Sequence, residues 1–208
     1  MRIVKNNKMG GCSSSEQNSA PPLLVPARRK KDLTYKVVLL GDTAVGKTSI
    51  LNYVLSNSKV SGEYSPTIGF AFSSKAVTLP CGETVTLQIW DTSGQDTYRE
   101  LVSLYYRDSQ AAILVFDYTS KSSINSLVFW LRQLEERVST QAMVLKLAGN
   151  KADLRGSPAQ EVEPKMIEDA LEEIAQPGLE LLDTSALTGQ NIEELFQKIA
   201  QECYDKFR

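Results

Sequence analysis

Residues 41–48 read GDTAVGKT, with glycines at 41 and 46 bracketing four residues and a lysine and a hydroxyl following directly. Each residue type has a physical task. Such a loop turns its backbone N–H groups, from Asp42 through Gly46, toward one anion, and a helix opening at its end adds a positive pole. Lys47 then reaches the terminal phosphates of a nucleotide, and the Thr48 hydroxyl suits a Mg²⁺ vertex. The loop follows a buried-looking run, VVLL, and precedes a helix-like segment, which is the context this chemistry requires. By itself it specifies a nucleoside triphosphate and leaves the base open.

The base is addressed by GNKADL at residues 149–154. Guanine presents two adjacent donors that one carboxylate accepts as a charge-assisted pair, whereas adenine sets an acceptor lone pair against the same carboxylate. Asp153 is therefore expected to favour GTP over ATP, with Asn150 tying this loop to the phosphate loop and Lys151 lying along the base. Taken singly, N-K-x-D also describes a polar surface turn. TSAL, from Thr184 to Leu187, is expected to close the base site through the Ala186 N–H. WDTSGQD, residues 90–96, adds Asp91 as the carboxylate that supports Mg²⁺, the Gly94 N–H as a γ-phosphate donor and Gln95 as the group that orients water. Thr67 stands 19 residues after Thr48, on a loop able to bring its hydroxyl and main chain to the metal.

These residues need a frame, and the chain outside them supplies one. Short continuous apolar runs (VVLL, AAILVF, MVLKLAGN, LELLDTS) alternate with longer helix-like segments, as strands buried on both faces of a parallel sheet do. KAVTLPCGETVTLQIWD instead alternates apolar and polar residues about a Pro-Cys-Gly-Glu turn, which predicts a hairpin and one antiparallel edge strand. The final helix carries Ile192, Leu195, Phe196, Ile199 and Cys203 on one stripe, with Asn191 and Glu194 spaced as cap and reciprocal partner. The expected fold is α/β: a doubly wound, six-stranded, mostly parallel sheet with about five helices. Lys146 interrupts an otherwise apolar strand, and the sequence offers no reason beyond a snorkelling stem.

Composition removes several alternatives. The chain of 208 residues is 42% hydrophobic, has no histidine and has three scattered cysteines, Cys12, Cys81 and Cys203. That excludes a disulfide framework, a His-containing zinc site and a His-based catalytic triad. The longest apolar run is six residues, far below the roughly 20 that cross a bilayer, and no segment reads as a secretory leader, so a cytosolic origin is expected. Residues 1–34 hold seven Lys/Arg against two Asp/Glu, a balance of +5 that leaves −7 for the remainder. The acidic part is a poor nucleic-acid binder, while the basic part suits anionic lipid. Residues 1–32, rich in Asn, Ser, Gly and Pro, are expected to be a flexible arm, and 33–208 the folded domain.

Taken in order, these segments resemble the small GTPases of the Ras superfamily over residues 34–205. PTIGFAF, IWDTSGQDTY and LYYRDSQAAILVFDYTS look most like the Rab branch, especially its early-endocytic members. The resemblance implies a GTP/GDP switch that hydrolyses GTP slowly with Mg²⁺, helped by a GAP and reset by an exchange factor. It implies loops at about 60–72 and 92–106 ordered by the γ-phosphate, and an aromatic trio for effectors at Phe72, Trp90 and Tyr105. On its pattern Gln95, Lys47, Thr67 and Gly94 are catalytic, and Thr48, Thr67 and Asp91 serve the metal. Nucleotide contact extends to Asp42, Thr43, Ala44, Val45, Gly46, Ser49, Tyr64, Ser185 and Leu187. The implied protein is a monomer in vesicle trafficking, on the cytoplasmic face of the endosome or plasma membrane.

Some positions depart from the pattern. Val60 stands where an aromatic usually stacks on guanine, Ser93 and Asp96 replace Ala and Glu, and Leu187 replaces a Lys over the base. The chain ends at YDKFR with no prenylation site, and Cys203 sits on the core stripe. MGGCSSS at residues 9–15 instead resembles the acylated start of certain plant and protist Rabs, which makes Gly10 a candidate for myristate and Cys12 for palmitate, with Arg28 to Lys31 as a basic patch. Gly10 becomes N-terminal only through initiation at Met9 or removal of the first eight residues. Two rival readings remain: a nucleotide-locked interaction module without turnover, and a P-loop kinase or ATPase, for which Asp153 and the chain's length leave little room.

Overall fold

Strands with no exposed side chain need cover on both faces, and two such runs form the centre of this molecule. The computed structural model describes residues 33–56, 67, 70–93 and 105–208. Within them β1 (Thr34–Leu40), β2 (Phe70–Thr78), β3 (Thr84–Thr92), β4 (Ala111–Asp117), β5 (Val144–Asn150) and β6 (Glu180–Asp183) form one sheet in the order β2-β3-β1-β4-β5-β6. All neighbours run parallel except the β2–β3 pair, so the antiparallel edge expected from the hairpin is present. Every residue of β4 and β5 is buried.

Alternate residues along each strand feed two cores, as the period of two requires. Val37, Leu39, Ile113 and Val115 face α1 (Lys47–Ser56) and the C-terminal helix α5 (Ile192–Phe207), meeting Ile50, Val54, Phe196 and Ile199. Val38, Leu40, Leu114 and Phe116 face the other layer, α2 (Lys121–Asn125), α3 (Leu127–Glu135) and α4 (Pro164–Ile174), meeting Trp130, Leu131 and Leu134. Only Ser126, itself right-handed helical, separates α2 from α3, so the described residues hold five α-helices, or four if these two are joined, besides short 3-10 turns at Thr140–Ala142 and Ala152–Leu154. The hairpin turns at Leu79–Glu83, whose ends are bonded at 2.8 Å, and Gly82 takes φ +85° there. No described helix is long and apolar enough to cross a membrane.

Two details of the C-terminal helix differ from or extend the sequence reading. The stripe Ile192, Leu195, Phe196, Ile199 and Cys203 is fully buried, and burial pushes the Cys203 thiol up to about 12. Asn191, however, is left-handed (φ +54°) and its side chain caps nothing: its Nδ2 donates to Asp183 O at 2.8 Å, while Glu194 pairs with Lys198. The capping-box expectation fails because the preceding loop needs the amide as a strap and the residue in a turn conformation that Asn tolerates.

Lys146 also finds its explanation. Its ammonium, on a side chain only 3% exposed, lies 3.0 Å from Glu180 and 2.5 Å from Glu202, so β5 is tied to β6 and to α5. Glu180, partnered by Lys198 and Lys146, has its carboxyl held below the usual range. That stabilisation is present above pH 4.5, the ordinary value, and is lost as pH falls through the lower folded value. Lys146→Met should therefore be near neutral at pH 7, flattening the acid limb of the stability curve. Glu202→Gln, which leaves the ammonium one charged partner, should cost about 1–2 kcal/mol. Chemical denaturation across pH 3–7 measures both.

Candidate functional site

The loop between β1 and α1 is pressed against its neighbours so closely that two of its positions admit no side chain. A Cβ on Gly41 (φ +143°) would stand 2.2 Å from the Val115 carbonyl oxygen, and one on Gly46 (φ +97°) 2.2 Å from Asn150 Nδ2. Ala44 between them is left-handed, so Asp42, Thr43, Ala44 and Val45 wrap a concave turn. Helix α1 carries no acidic residue in its first turn, leaving its positive pole, with Ser49 beside it, open to an anion.

Lys47 lies folded over this loop, nearly buried, its Nζ donating to Gly41 O at 2.8 Å and Asp42 O at 2.7 Å. Burial pulls its pKa down to about 8, against the opposing pull of Asp91 and Asp42. A buried ammonium held mainly by carbonyls is a group that an incoming phosphate stabilises. The Asp42 side chain is turned aside by Trp130, whose Nε1 donates to Oδ1 at 2.8 Å.

Three oxygen-bearing side chains meet beside the loop. Thr48 Oγ1 donates to Asp91 Oδ2 at 2.5 Å, Thr67 Oγ1 is 2.7 Å from Thr48 Oγ1, and Thr67 Oγ1 reaches Asp91 Oδ2 at 3.3 Å. Asp91 is fully buried, its pKa is raised by that burial, and its Oδ1 has no hydrogen-bond partner among the described residues. An orphaned buried carboxylate oxygen among hydroxyls fits a hard divalent cation. No group of three or more His, Cys, Asp or Glu side chains placed to hold a metal occurs among the described residues. One carboxylate and two hydroxyls are a hard-oxygen donor set of the kind Mg²⁺ accepts when phosphate oxygens and water fill its other positions.

Beyond the phosphate loop opens a cavity of about 460 Å³ lined by Ala44, Gly46, Ser49, Asn150, Lys151, Asp153, Leu154, Ala186 and Leu187. Asn150, buried, bridges both walls: Nδ2 donates to Val45 O at 2.8 Å, and Oδ1 accepts the Ala186 N–H at 3.2 Å. Asp153 Oδ1 accepts the Ser185 hydroxyl at 2.5 Å, and Ser185 Oγ in turn accepts the Thr188 N–H at 3.1 Å. Leu187 is 58% exposed over the mouth, an apolar lid to one side of the cavity. A larger cavity, about 580 Å³, lies at the N-terminal ends of the strands around Met143 and Val144, but its Lys206 is bonded to Met143 O and it gathers none of these groups.

The structure thus gathers Asp42 to Ser49, Thr67 and Asp91, Asn150, Lys151 and Asp153, and Ser185 to Leu187 at the C-terminal ends of the strands, where open α/β sheets place ligands. Tyr64, Gly94 and Gln95 lie outside the described residues, as do Val60, Asp96, Gly10, Cys12 and the basic run 28–31.

The sequence reading missed Asp117. At the end of β4 its Oδ1 accepts the Thr119 N–H at 2.7 Å and its Oδ2 pairs with Lys151, holding that residue in its left-handed turn (φ +60°). An acidic residue ending the buried run AAILVFD was the available signal.

A second surface adjoins the Thr48, Thr67 and Asp91 cluster, since Trp90 precedes Asp91 on β3. Trp90 stacks on Tyr105 (centroids 5.1 Å) and meets Phe72 edge-on at 5.2 Å, so the expected trio is contiguous. Phe70 adds an unexpected fourth ring, 4.2 Å from Tyr105 and 5.4 Å from Trp90. Phe70 and Phe72 are 42% and 50% exposed, and Lys36 sits 5.0 Å above the indole.

Comparison with known proteins places this geometry. A family model described as Ras family matches residues 36–205. Human Ras-related protein Rab-37 is 39% identical over 192 residues, covering 92% of this chain and 83% of its own. Ras-related protein Rab-5B of Plasmodium falciparum is 35% identical over 207 residues, 95% of this chain and 96% of its own. Ras-related protein RABA2d of Arabidopsis thaliana is 39% identical over 175 residues, 83% and 76% of the two chains.

Proposed function

We propose, since the chain belongs to the Ras family of small GTPases and to its Rab branch, that it is a GTP/GDP switch of endosomal trafficking whose site residues act as follows. Members of the family bind GTP and GDP with Mg²⁺ and hydrolyse GTP to GDP and phosphate. The phosphate chain lies on the N–H groups of residues 42–47 and against Lys47, with Thr43, Ala44 and Ser49 at its edge. Thr48, Thr67 and Asp91 hold Mg²⁺, which when bound offsets phosphate charge. Asp153 accepts the two guanine donors, the Ala186 N–H, shared with Asn150 Oδ1 at 3.2 Å, meets the purine carbonyl oxygen, and Lys151 and Leu187 flank the ring. Gly94 and Gln95, with Tyr64, complete the reacting end, Gln95 orienting the water.

The observation that carries this reading is the double bridging by Asn150, which fastens the base walls to the phosphate loop as one receptor. Guanine nucleotide should accompany the purified protein, and bound GTP should turn over at roughly 10⁻⁴–10⁻² s⁻¹ without a partner. Extraction of bound nucleotide with single-turnover assay tests it. Adenine nucleotide overturns the reading, and tightly held GTP with no turnover favours the locked module.

The finer assignments rest on the sequence. Residues 1–32 act as a membrane-directing arm on the domain 33–208, with myristate on Gly10, palmitate on Cys12 and Arg28 to Lys31 against anionic lipid. The working place is the cytoplasmic face of the endosome or plasma membrane, the protein acting as a monomer with a GAP, an exchange factor and effectors bound at Phe72, Trp90 and Tyr105. Intact-mass measurement of membrane-bound protein tests the arm, since an unacylated chain beginning at Met1 contradicts it.

A further inference from the structure

Beside the base cavity, three side chains add cross-links to segments whose backbones meet only through single hydrogen bonds past the strand ends, such as Ala152 N to Thr184 O at 2.9 Å. Tyr118 follows β4, is 1% exposed and donates its hydroxyl to Asp183 Oδ1. Asp183 Oδ2 pairs with Arg155, whose guanidinium lies 4.9 Å over the Tyr118 ring. Arg155 stands two residues after Asp153, and Asp183 two residues before Ser185, so the cluster grips both base-reading loops.

The ring itself sets the floor. A Cβ on Gly149, the residue before Asn150, would meet Tyr118 Cε2 at 2.7 Å, so the tyrosine packs on the backbone from which the base loop springs. Tyr118 N donates to Asn150 O at 3.0 Å, and Tyr118 O accepts from Glu161 and Val162 at 3.0 and 3.1 Å. Asp183 O accepts Asn191 Nδ2 at 2.8 Å, carrying the same strap to the start of α5. Burial first, then the carboxylate, pushes the phenol upward, which keeps it a donor at any ordinary pH.

We infer that Tyr118, Asp183 and Arg155 form a latch that sets how long guanine nucleotide stays bound, by holding the Asp153 and Ser185 loops in their base-reading arrangement. They are positioning residues that touch no part of the nucleotide. This rests on the GTPase reading above and deepens it. Opening the base side requires the two loops to part, and the latch opposes that separation with the Arg155–Asp183 ion pair, itself seated on the Tyr118 ring and held by the partly buried Tyr118–Asp183 hydrogen bond. Thr48, Thr67 and Asp91 lie on α1, on the segment before β2 and on β3, so the latch governs release of the base and leaves the reacting end alone.

The test is dissociation of a fluorescent GDP analogue from the full chain in Mg²⁺, for Tyr118→Phe, Arg155→Met and the double variant. Tyr118→Phe keeps the ring on Gly149 and removes only the donor. Losing one hydrogen bond to a charged acceptor predicts about 10–100-fold faster release. Because both act through Asp183, the double variant should release no faster than the faster single one. Single-turnover hydrolysis of bound GTP and the fold-acceleration by EDTA should stay within twofold of the parent, and Asp183→Glu should restore most of what Asp183→Ala loses.

Release within twofold of the parent in both single variants overturns the latch, as do multiplying effects in the double variant. If Tyr118→Phe lowers the melting midpoint strongly, Arg155→Met, altered at a 42% exposed side chain, decides alone. A parent that retains no guanine nucleotide overturns the reading beneath; a parent that retains it beside unaffected variants overturns only the latch.

Discussion

Asp153→Asn is expected to weaken GTP binding by about 10²–10⁴-fold, the loss of two hydrogen bonds to a charged acceptor, while creating affinity for xanthosine triphosphate. The geometry fixes which way the new amide turns. Ser185 Oγ already accepts the Thr188 N–H, so its proton is directed to Asp153 Oδ1. An asparagine must keep its carbonyl oxygen there and place its NH₂ where Oδ2 stood. That edge offers one acceptor and one donor, which matches the N–H and carbonyl of xanthine and clashes with the amino group of guanine. Competition binding with the four purine nucleotides measures the exchange; equal affinity of the parent for ATP and GTP would remove the role assigned to Asp153.

Thr48→Asn is expected to lower GTP affinity in Mg²⁺ by about 100-fold or more, since even residues that only orient a metal ligand are worth roughly 10–100-fold. The Thr48 hydroxyl lies between Asp91 and Thr67, within 2.7 Å of both, a space that an amide cannot share. Its NH₂ would bond Asp91 and occupy the vertex. GDP, which lacks the γ-phosphate, should suffer less, so the variant should accumulate in the GDP-bound or empty form. Titrating Mg²⁺ against nucleotide release measures this, and GTP affinity equal to that of the parent would contradict the metal assignment.

How much of this was readable in advance follows from how far each interaction reaches along the chain. The strands, the hairpin and the phosphate loop are local patterns: seven buried residues in a row, an alternation about a turn, glycines at a fixed interval. The base loop was readable because its side chains have chemistry that few other roles need. Lys146 was opaque because its partners Glu180 and Glu202 lie on two other elements. Asp117, Tyr118 and Arg155 act on the site through partners 28–65 residues away. Phe70 reads as one more apolar residue in a strand until the register places it beside Trp90 and Tyr105. Asn191 had the right spacing for a cap, but a left-handed backbone sent its amide to Asp183.

The two tryptophans give the chain a built-in optical contrast. Trp130 is 1% exposed and bonded to the phosphate loop through Asp42, so its emission belongs to a dry, fixed setting. Trp90 is sandwiched among Phe70, Phe72 and Tyr105 beneath a lysine, its indole nitrogen without a partner among the described residues. Wavelength and quenching at Trp90 therefore respond to whatever rearranges those rings, whether a third phosphate or a docked protein. The light from Trp130 supplies the steady reference, so both events can be timed on unlabelled protein.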